Sequence, residues 1–244
     1  MTRHHIPYGR AFVEPSFNYN ISKNRDAYAA GPYITPDTTI SDAVASLPSK
    51  GGRIFLSEGQ WSFNSKLTIS RPNVHIISLC PGRTVLKRTA SGSDNMILLS
   101  GEECSVEGIR FVDPNVTAGV VKITANRCAV RGCVFEDVGG GVHVTGANWV
   151  EVARNHIIEM AYSGIVFDGT CAYGMIANNR FEGSNATYDD VSLGASVTST
   201  VISGNVFEYS NGSILYEVSG NGMQTIVEID GANSIDRGNI ADRP

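Results

Sequence analysis

One short pattern of apolar and polar positions recurs along the chain from position 106 onward. In each copy an apolar residue is followed by two or three turn-tolerant residues and then by a large apolar residue, which predicts a strand, a bend and a new strand. Successive copies begin 24, 22, 24, 26 and 33 residues apart, a length that suits one three-strand coil of a solenoid and is too short for an independent domain. The six copies occupy 106–111, 130–135, 152–157, 176–181, 202–207 and 235–240.

A second apolar pattern runs in phase with the first. Residues 141–144 and 164–167 hold alternating apolar residues after a glycine, and residues 119–123 hold a looser version. A third apolar run lies beside them in each unit. No unit offers the apolar i, i+3, i+4, i+7 spacing of a helix. The pattern therefore predicts an all-β fold in which coils of parallel β-structure stack along one axis.

The segments before the repeats are expected to close one end of the solenoid and to extend beyond it. A short helix over residues 39–47 would be capped by Thr38 or Thr39, would end at Pro48 and would place its apolar residues on one face. It would cover the unpaired edge that a solenoid leaves open. Residues 1–37 mix aromatic residues with Pro and Gly without a sustained period, which predicts an extended arm. The solenoid would then occupy 38–244, with an irregular C-terminal end.

These features resemble the right-handed parallel β-helix of the pectate lyase-like superfamily over roughly residues 38–239. Residues 39–47, 51–56 and 59–63 are similar to the short helix, first strand and turn with which such folds begin. The resemblance implies a right-handed, single-stranded parallel β-helix and favours a homotrimer. The superfamily includes polysaccharide lyases, glycoside hydrolases, bacteriophage tailspikes and structural virion proteins, so the activity has to be argued from the site.

Stacked strands repeat at about 4.8 Å, so equivalent residues of successive coils should form ladders. Asn155, Asn179 and Asn205 hold one turn position, where Asn tolerates left-handed backbone and each amide can bond the next. We interpret them as a structural asparagine ladder. An apolar stack should lie beside it in the core, formed by Phe111, Phe135, Ile157, Phe181 and Phe207.

Composition and charge narrow the possible partners. The formal net charge is -5 and no Lys/Arg cluster occurs, so binding to DNA or RNA is not expected. The first residues show no apolar signal-peptide region and no run approaches membrane-spanning length, so synthesis in a host cytoplasm without membrane insertion is expected. Cys104 and Cys128 hold equivalent positions, spaced too widely for a relaxed disulfide, and should be reduced core thiols.

Carboxylates collect just after the stacked aromatic position. Asp113, Asp137 and Glu159 are expected on consecutive coils, where splayed side chains could reach the roughly 5 to 9.5 Å separation that glycosidases use. Asp137 and Glu159 are the candidate acid/base pair. A solvated turn edge is the main alternative, and a Ca²⁺ site is a second one. No other cofactor or metal site is expected.

The residues that could contact a sugar are few. The candidates are Trp149, Tyr162, Tyr188 and His143, because aromatic rings and an exposed imidazole are common in carbohydrate sites. Tyr173 is a further exposed aromatic residue that could stack on a sugar ring.

Two functional hypotheses follow. In the first, the chain is a structural virion protein of a tailed bacteriophage, either a capsid decoration protein or a spike-like appendage. It would dock to a capsid or tail protein through residues 1–37 and project a β-helix that adheres to a cell-surface glycan. In the second, the chain is a polysaccharide-degrading tailspike glycosidase or lyase that uses the acidic edge.

Overall fold

The computed structural model describes residues 32–36, 39–62, 65–88, 95–113, 119–183, 190–208, 214–216 and 226–227. Within them the helix α1 spans Ile40–Ser46. The strands of the first half are β1 (Tyr33–Ile34), β2 (Gly52–Leu56), β3 (Gly59–Ser62), β4 (Leu67–Ile69), β5 (Val74–Ser78), β6 (Thr84–Lys87), β7 (Ile97–Leu99), β8 (Ser105–Glu107), β9 (Arg110–Asp113), β10 (Gly119–Ile123) and β11 (Ala129–Arg131). The remaining strands are β12 (Val134–Val138), β13 (Gly140–Thr145), β14 (Glu151–Ala153), β15 (His156–Ile158), β16 (Ile165–Asp168), β17 (Met175–Ala177), β18 (Arg180–Glu182), β19 (Val191–Leu193), β20 (Val201–Ser203), β21 (Val206–Glu208), β22 (Ile214–Tyr216) and β23 (Ile226–Val227).

These strands form three parallel sheets that the chain visits in turn, which confirms the predicted parallel β-helix. Sheet A has the order β1-β2-β5-β8-β11-β14-β17-β20-β23. Sheet B has the order β3-β6-β9-β12-β15-β18-β21, and sheet C has the order β4-β7-β10-β13-β16-β19-β22. Each complete coil therefore contributes one strand to each sheet, and every strand inside a sheet pairs with strands of the coils before and after it.

The helix α1 lies on the apolar interior at the start of the column. Thr39 caps it: the Asp42 amide donates to Thr39 Oγ1 at 3.1 Å, as the sequence predicted for this position. Ile40, Ala43 and Leu47 are buried in the core. The Arg71 guanidinium donates to the carbonyl oxygen of Val44 at 3.0 Å and also to that of Leu47, which satisfies carbonyls at the end of the helix. Among the described residues no helix is long and apolar enough to cross a membrane.

The core follows from the alternation of each strand, since inward residues are apolar and stack in register. On sheet B the in-register column runs through Trp61, Leu86, Phe111, Phe135, Ile157, Phe181 and Phe207. The rings of Phe111 and Phe135 stack at 5.1 Å, and those of Phe181 and Phe207 stack at 4.9 Å. The predicted apolar stack therefore forms the interior, and dispersion and burial hold adjacent coils together.

The asparagine side chains form a hydrogen-bonded ladder inside the corner between sheets A and B. The Asn155 amide nitrogen and its Nδ2 both donate to Asn179 Oδ1 at 3.0 Å. Asn179 makes the same two bonds to Asn205 Oδ1, at 2.9 and 3.0 Å. The sequence suggested left-handed backbone at the asparagine itself. The structure places it one residue earlier, since Arg154, Asn178 and Gly204 have φ of 56°, 56° and 62°.

Two boundaries differ from the sequence prediction. Tyr33 and Ile34, assigned to the arm, pair with Phe55 and Leu56 as the edge strand of sheet A. At the other end Ile202 pairs with Val227, which lies 25 residues later. The first residue of the copy predicted at 235–240 is therefore not the in-register partner of Ile202. Residues 1–31 of the predicted arm and residues 235–240 lie outside the described residues.

Candidate functional site

Asp137 and Glu159 occupy equivalent positions on adjacent coils, at the end of sheet B. Glu136 pairs with Ile158, so the residues that follow them, Asp137 and Glu159, share a turn position. Both have left-handed backbone, with φ of 48° and 51°, and both side chains are exposed. The amide of Glu159 donates to the carbonyl oxygen of Glu182 on the next coil at 2.9 Å, which fixes the turn. The structure thus brings together the two carboxylates that the sequence suggested as a catalytic pair.

Asp113 does not belong to this edge, which corrects the predicted row of three. It pairs with Val138 rather than with Asp137, because the register of β9 and β12 shifts between Glu136 and Val138. Asp113 points inward, is 0% exposed and lies 3.0 Å from Nε of Arg88, whose side chain is 4% exposed. A buried carboxylate requires such a partner. Asp113 is therefore half of an internal ion pair.

Ion pairs cover the outer face of sheet B beside the two turn carboxylates. Arg110 pairs with Glu136 on the next coil. Nε2 of His156 lies 3.0 Å from Oε2 of Glu182, and Nη2 of Arg180 lies 3.5 Å from the same oxygen. The Arg110–Glu136 and His156–Glu182 contacts connect one coil to the next, whereas Arg180 and Glu182 lie on the same strand. All of these side chains are partly exposed, and the turn carboxylates remain in solvent.

The predicted sugar-contacting residues lie on different parts of the coil. His143 lies on the outer face of sheet C, where Nε2 is 3.3 Å from Thr145 Oγ1 and 3.9 Å from Asp168 Oδ2. Burial, and secondarily the charge of Lys122, lowers the pKa of His143, while Asp168 opposes this shift. Tyr162 is half-buried in the turn before sheet C. Trp149 lies at the turn that enters sheet A, and Tyr188 lies outside the described residues.

Trp149 is part of a larger cluster that the sequence did not reveal. Its ring stacks on that of Tyr173 at 5.3 Å with an interplanar angle of 11°. The Arg127 guanidinium lies over the Trp149 ring, 5.4 Å from the ring centroid. A sequence signal for this turn position exists. Cys104 and Cys128 were recognised as equivalent, and Arg127, one residue before Cys128, occupies the same turn position as Trp149 and Tyr173 on later coils.

A polar chain lies on the outer face of sheet A. His75 Nδ1 is 2.9 Å from Ser105 Oγ, and Ser105 Oγ donates to Glu107 Oε1 at 2.9 Å. Because the ionised carboxylate only accepts, the single Ser105 proton goes to Glu107 and His75 donates from Nδ1. Burial lowers the pKa of His75, against the smaller opposing effect of Glu107. Beside it, Arg131 lies between Glu107 at 3.4 Å and Glu151 at 2.5 Å. The hydrogen bond from Arg131 lowers the pKa of Glu151.

The sequence profile of a family described as "Periplasmic copper-binding protein (NosD)" matches residues 76–234 of the 244-residue chain. The chain belongs to this NosD family. The match starts in β5, so it includes most of the stacked coils, the two turn carboxylates and the Trp149 cluster. A comparison with the curated protein sequences finds no match.

Solved structures share the fold at low sequence identity. The catalytic domain of a GH87 α-1,3-glucanase variant in complex with nigerose is 15% identical with a TM-score of 0.65, and the match covers 84% of this chain and 45% of that one. The ORF18 protein of Geobacillus virus E2 is 11% identical with a TM-score of 0.50, and the match covers 72% of this chain and 52% of that one. This chain thus spans about half the length of either protein, and the likeness shows the fold alone.

The description of the family names copper as a ligand. Copper sites use imidazole and sulfur donors that converge on one point. His75, His143 and His156 lie on sheets A, C and B respectively, so the stacking separates them. In the part of the chain that the structure describes, no three His, Cys, Asp or Glu residues lie close enough together to hold a metal ion. These residues do not fit a copper site. His4 and His5 lie outside the described residues.

Proposed function

We propose that this chain is a structural protein of a tailed-bacteriophage virion, a capsid decoration protein or a spike-like appendage that adheres to glycans. In this proposal the segment that precedes β1 docks to a capsid or tail protein, the β-helix projects outward, and three copies assemble. The fold shared with the ORF18 protein of Geobacillus virus E2 supports a viral setting.

One observation carries the structural role: the outward-facing charges hold the coils to one another. Arg131 reaches Glu107 on the coil before it and Glu151 on the coil after it. Arg110 pairs with Glu136 and His156 with Glu182 in the same way, across one coil step. Side chains that pair with neighbouring coils form a continuous outer surface. Such a surface suits a projecting scaffold, whereas an enzyme needs a cleft in which polar groups converge on the reacting bond.

The location can be tested on native particles. Immunogold labelling with an antibody against the purified protein would be carried out on virions produced from a genome that encodes this chain. We expect gold at regular positions on the capsid or the tail. Label confined to the soluble fraction of the lysate, with none on intact particles, would contradict the virion role.

A second function, polysaccharide cleavage, is favoured by the adjacency of Asp137 and Glu159. Equivalent residues on neighbouring coils are about 4.8 Å apart at the backbone, so splayed side chains could bring the two carboxyl groups to the separation of roughly 5 to 9.5 Å that retaining or inverting glycosidases use. The catalytic domain of the GH87 α-1,3-glucanase shares this fold, which shows that the fold is compatible with glucanase activity.

A reducing-end assay separates the two functions. Purified protein would be incubated with α-1,3-glucan and with bacterial surface polysaccharides, beside the variants Asp137→Asn and Glu159→Gln. Glu136→Gln, one residue from Asp137, is the matched control. Release of reducing ends that is lost in both turn variants and kept in the control would establish an enzyme. No release by the wild-type protein would leave the adhesive scaffold as the function.

A further inference from the structure

The turn that enters sheet A carries large planar side chains at four consecutive coils. Glu103, Arg127, Trp149 and Tyr173 occupy one equivalent position, which we call the planar ladder. All four have left-handed backbone, with φ of 60°, 57°, 55° and 58°. Gly51 and Asn73 hold this position on the preceding coils and Ser199 holds it on the next one, also with positive φ.

Large side chains are unfavourable at this position. Left-handed backbone brings Cβ close to the following carbonyl oxygen, so glycine and asparagine are the residues that fit it best. Gly51 and Asn73 meet that requirement, whereas Trp149 and Tyr173 do not. The bends of these coils can be made without aromatic rings, so the geometry of the turn does not require Trp149 and Tyr173 there.

The backbone beneath the planar ladder is held firmly. The amides of Arg127 and Trp149 donate to the carbonyl oxygens of Asn148 and Ala172 on the next coil, at 2.9 and 3.0 Å. The Asn148 side chain also accepts from the Ala172 amide at 2.8 Å. These bonds fix the direction of each side chain before any ligand arrives, which reduces the entropy lost on binding.

Stacking leaves one ring face open. Arg127 covers one face of Trp149, and Tyr173 covers the other. One face of Tyr173 rests on Trp149, so its second face points along the axis toward Ser199, a small side chain. Tyr173 is 57% exposed and Trp149 is 50% exposed. An open shelf therefore lies between the Tyr173 ring and the next coil, about 4.8 Å away along the axis. The free face of the ring forms one side of this shelf, and the Ser199 hydroxyl lies beside it.

The chemistry of this shelf selects its occupant. The C–H face of a pyranose ring packs on an exposed aromatic ring, and the Ser199 hydroxyl can donate to or accept from a sugar hydroxyl. The cation of the planar ladder is already paired, since Arg127 lies 3.5 Å from Glu103. No unpaired cation of the ladder is left to select an acidic sugar. These groups suit a neutral sugar.

We infer that the open face of Tyr173 above Ser199 is a binding site for a neutral hexose unit of a polysaccharide. The inference rests on the proposed adhesive function and names the surface that performs it. Trp149 and Arg127 act as the support that holds the Tyr173 ring in place. The site lies at the corner that enters sheet A, away from the carboxylates at the end of sheet B.

The test is an array of neutral glycans probed with the full-length protein. It would carry nigero-, malto-, laminari- and cello-oligosaccharides and neutral bacterial O-polysaccharides, and the affinity for the best binder would then be measured by calorimetry. Tyr173→Asn removes the ring and suits the left-handed backbone, so it should fold. Ser199→Tyr should cover the open face with a further ring. Tyr173→Phe keeps the face, and Leu79→Asn changes an exposed apolar residue elsewhere.

We expect the wild-type protein to bind at least one neutral glycan. Tyr173→Asn and Ser199→Tyr should each weaken binding about tenfold or more, while the control Leu79→Asn should stay within about threefold. Tyr173→Phe keeps the ring and should bind more tightly than Tyr173→Asn. Undiminished binding by Tyr173→Asn would overturn the inference. Binding confined to acidic glycans and abolished by salt would do so too, as would an array without any neutral ligand.

The two proposals can fail separately. If virions are gold-labelled but the array shows no neutral ligand, the binding site is contradicted and the virion role stands. Binding that depends on Tyr173 in a protein absent from particles would remove the virion role and leave the site.

Discussion

At the scale of single residues, stability depends on side chains that have no room to adjust along the axis. Phe181 is fully buried and stacks on Phe207 at 4.9 Å. Its in-register neighbour on the other side is Ile157. Backbone hydrogen bonds fix the coil spacing, so neighbouring coils cannot close a gap left between them.

Replacement of Phe181 by Ala should therefore be severe. We expect Phe181→Ala to lower the free energy of unfolding by about 3 to 5 kcal/mol, because the cavity remains open. Urea denaturation followed by circular dichroism measures the change. Glu182→Ala, at the next position but partly exposed, should cost only about 0.5 kcal/mol. The reverse order would show that the inside and outside faces of β18 are assigned wrongly.

The buried asparagine ladder makes a different prediction. Asn179→Ala removes the oxygen that accepts from Asn155 twice and the donor to the Val152 carbonyl oxygen at 2.9 Å. Buried groups left without partners cost about 1 to 3 kcal/mol each, so we expect a loss of about 3 kcal/mol or more in the same assay. The matched control is Asn178→Gly, because Asn178 is exposed and its left-handed backbone suits glycine. Equal losses in the two variants would contradict the ladder's structural role.

Sequence reasoning placed most of these residues correctly, and its errors have a physical cause. The period of the apolar pattern determines which side chains face inward, so the column from Phe111 to Phe207 could be predicted. A bulge leaves no trace in that period. The register shift at Asp137 therefore moved Asp113 from the predicted edge into a buried pair with Arg88.

At the scale of elements, the outer faces of the sheets carry titratable groups whose ionisation is coupled to folding. His143 on β13 has a lowered pKa because of burial and then Lys122. His75 on β5 has a lowered pKa mainly because of burial. A histidine whose pKa in the folded protein lies below its value of 6.5 in the unfolded chain binds a proton less readily in the fold, so protons bind preferentially to the unfolded chain.

The sign of the pH dependence follows. The stabilisation from His75 and His143 is complete above 6.5 and falls as the pH decreases below this value. We expect the free energy of unfolding to decrease between about pH 7 and about pH 5, and the decrease to be smaller in the variant His75→Gln/His143→Gln. Urea denaturation at the two pH values measures it. Equal pH dependence in the variant and the wild-type protein would contradict the effect of burial on these imidazoles.

The aromatic cluster at the turn entering sheet A could not be predicted from the apolar pattern of the sequence. Trp149 was recognised as a possible sugar contact because it is aromatic, whereas its stack with Tyr173 and its contact with Arg127 depend on which turn residues coincide in three dimensions. Strand periodicity does not specify the conformation of a turn. Residue by residue alignment outward from Cys104 and Cys128 would have been needed.

At the scale of the whole molecule, all five cysteines are free thiols, and four of them are buried. Burial raises the pKa of the Cys133 thiol to about 12 and also raises that of Cys171. The hydrogen bond with Cys104 raises the pKa of Cys128. Cys128 and Cys133 flank β11 on one coil, and Cys104 and Cys171 lie on other coils of the column. Because thiolate is the reactive form, Cys128, Cys133 and Cys171 should be inert until a coil opens. The hydrogen bond with Cys128 lowers the pKa of Cys104, so burial alone protects this thiol from reagents.

Thiol labelling can therefore report opening of the column. We expect iodoacetamide to modify Cys80 in the native protein first, since Cys80 alone among the five is only partly buried. The buried four should react only as urea unfolds the chain. Mass spectrometry of tryptic peptides over time gives the order, with Cys80→Ser as the control. Labelling of Cys133 as fast as that of Cys80 would show that the central coils open in native conditions.

The shared register of neighbouring coils has a consequence for inheritance. Val152 pairs with Val130 before it and with Ile176 after it, so one coil carries the same assignment of faces as the next. Duplication or loss of a whole coil in the gene would keep every side chain on its own face, whereas a single inserted codon would reverse the alternation in that strand. Lineages can accordingly lengthen or shorten this protein in steps of about 4.8 Å, and such changes in length are expected to be better tolerated than shorter insertions.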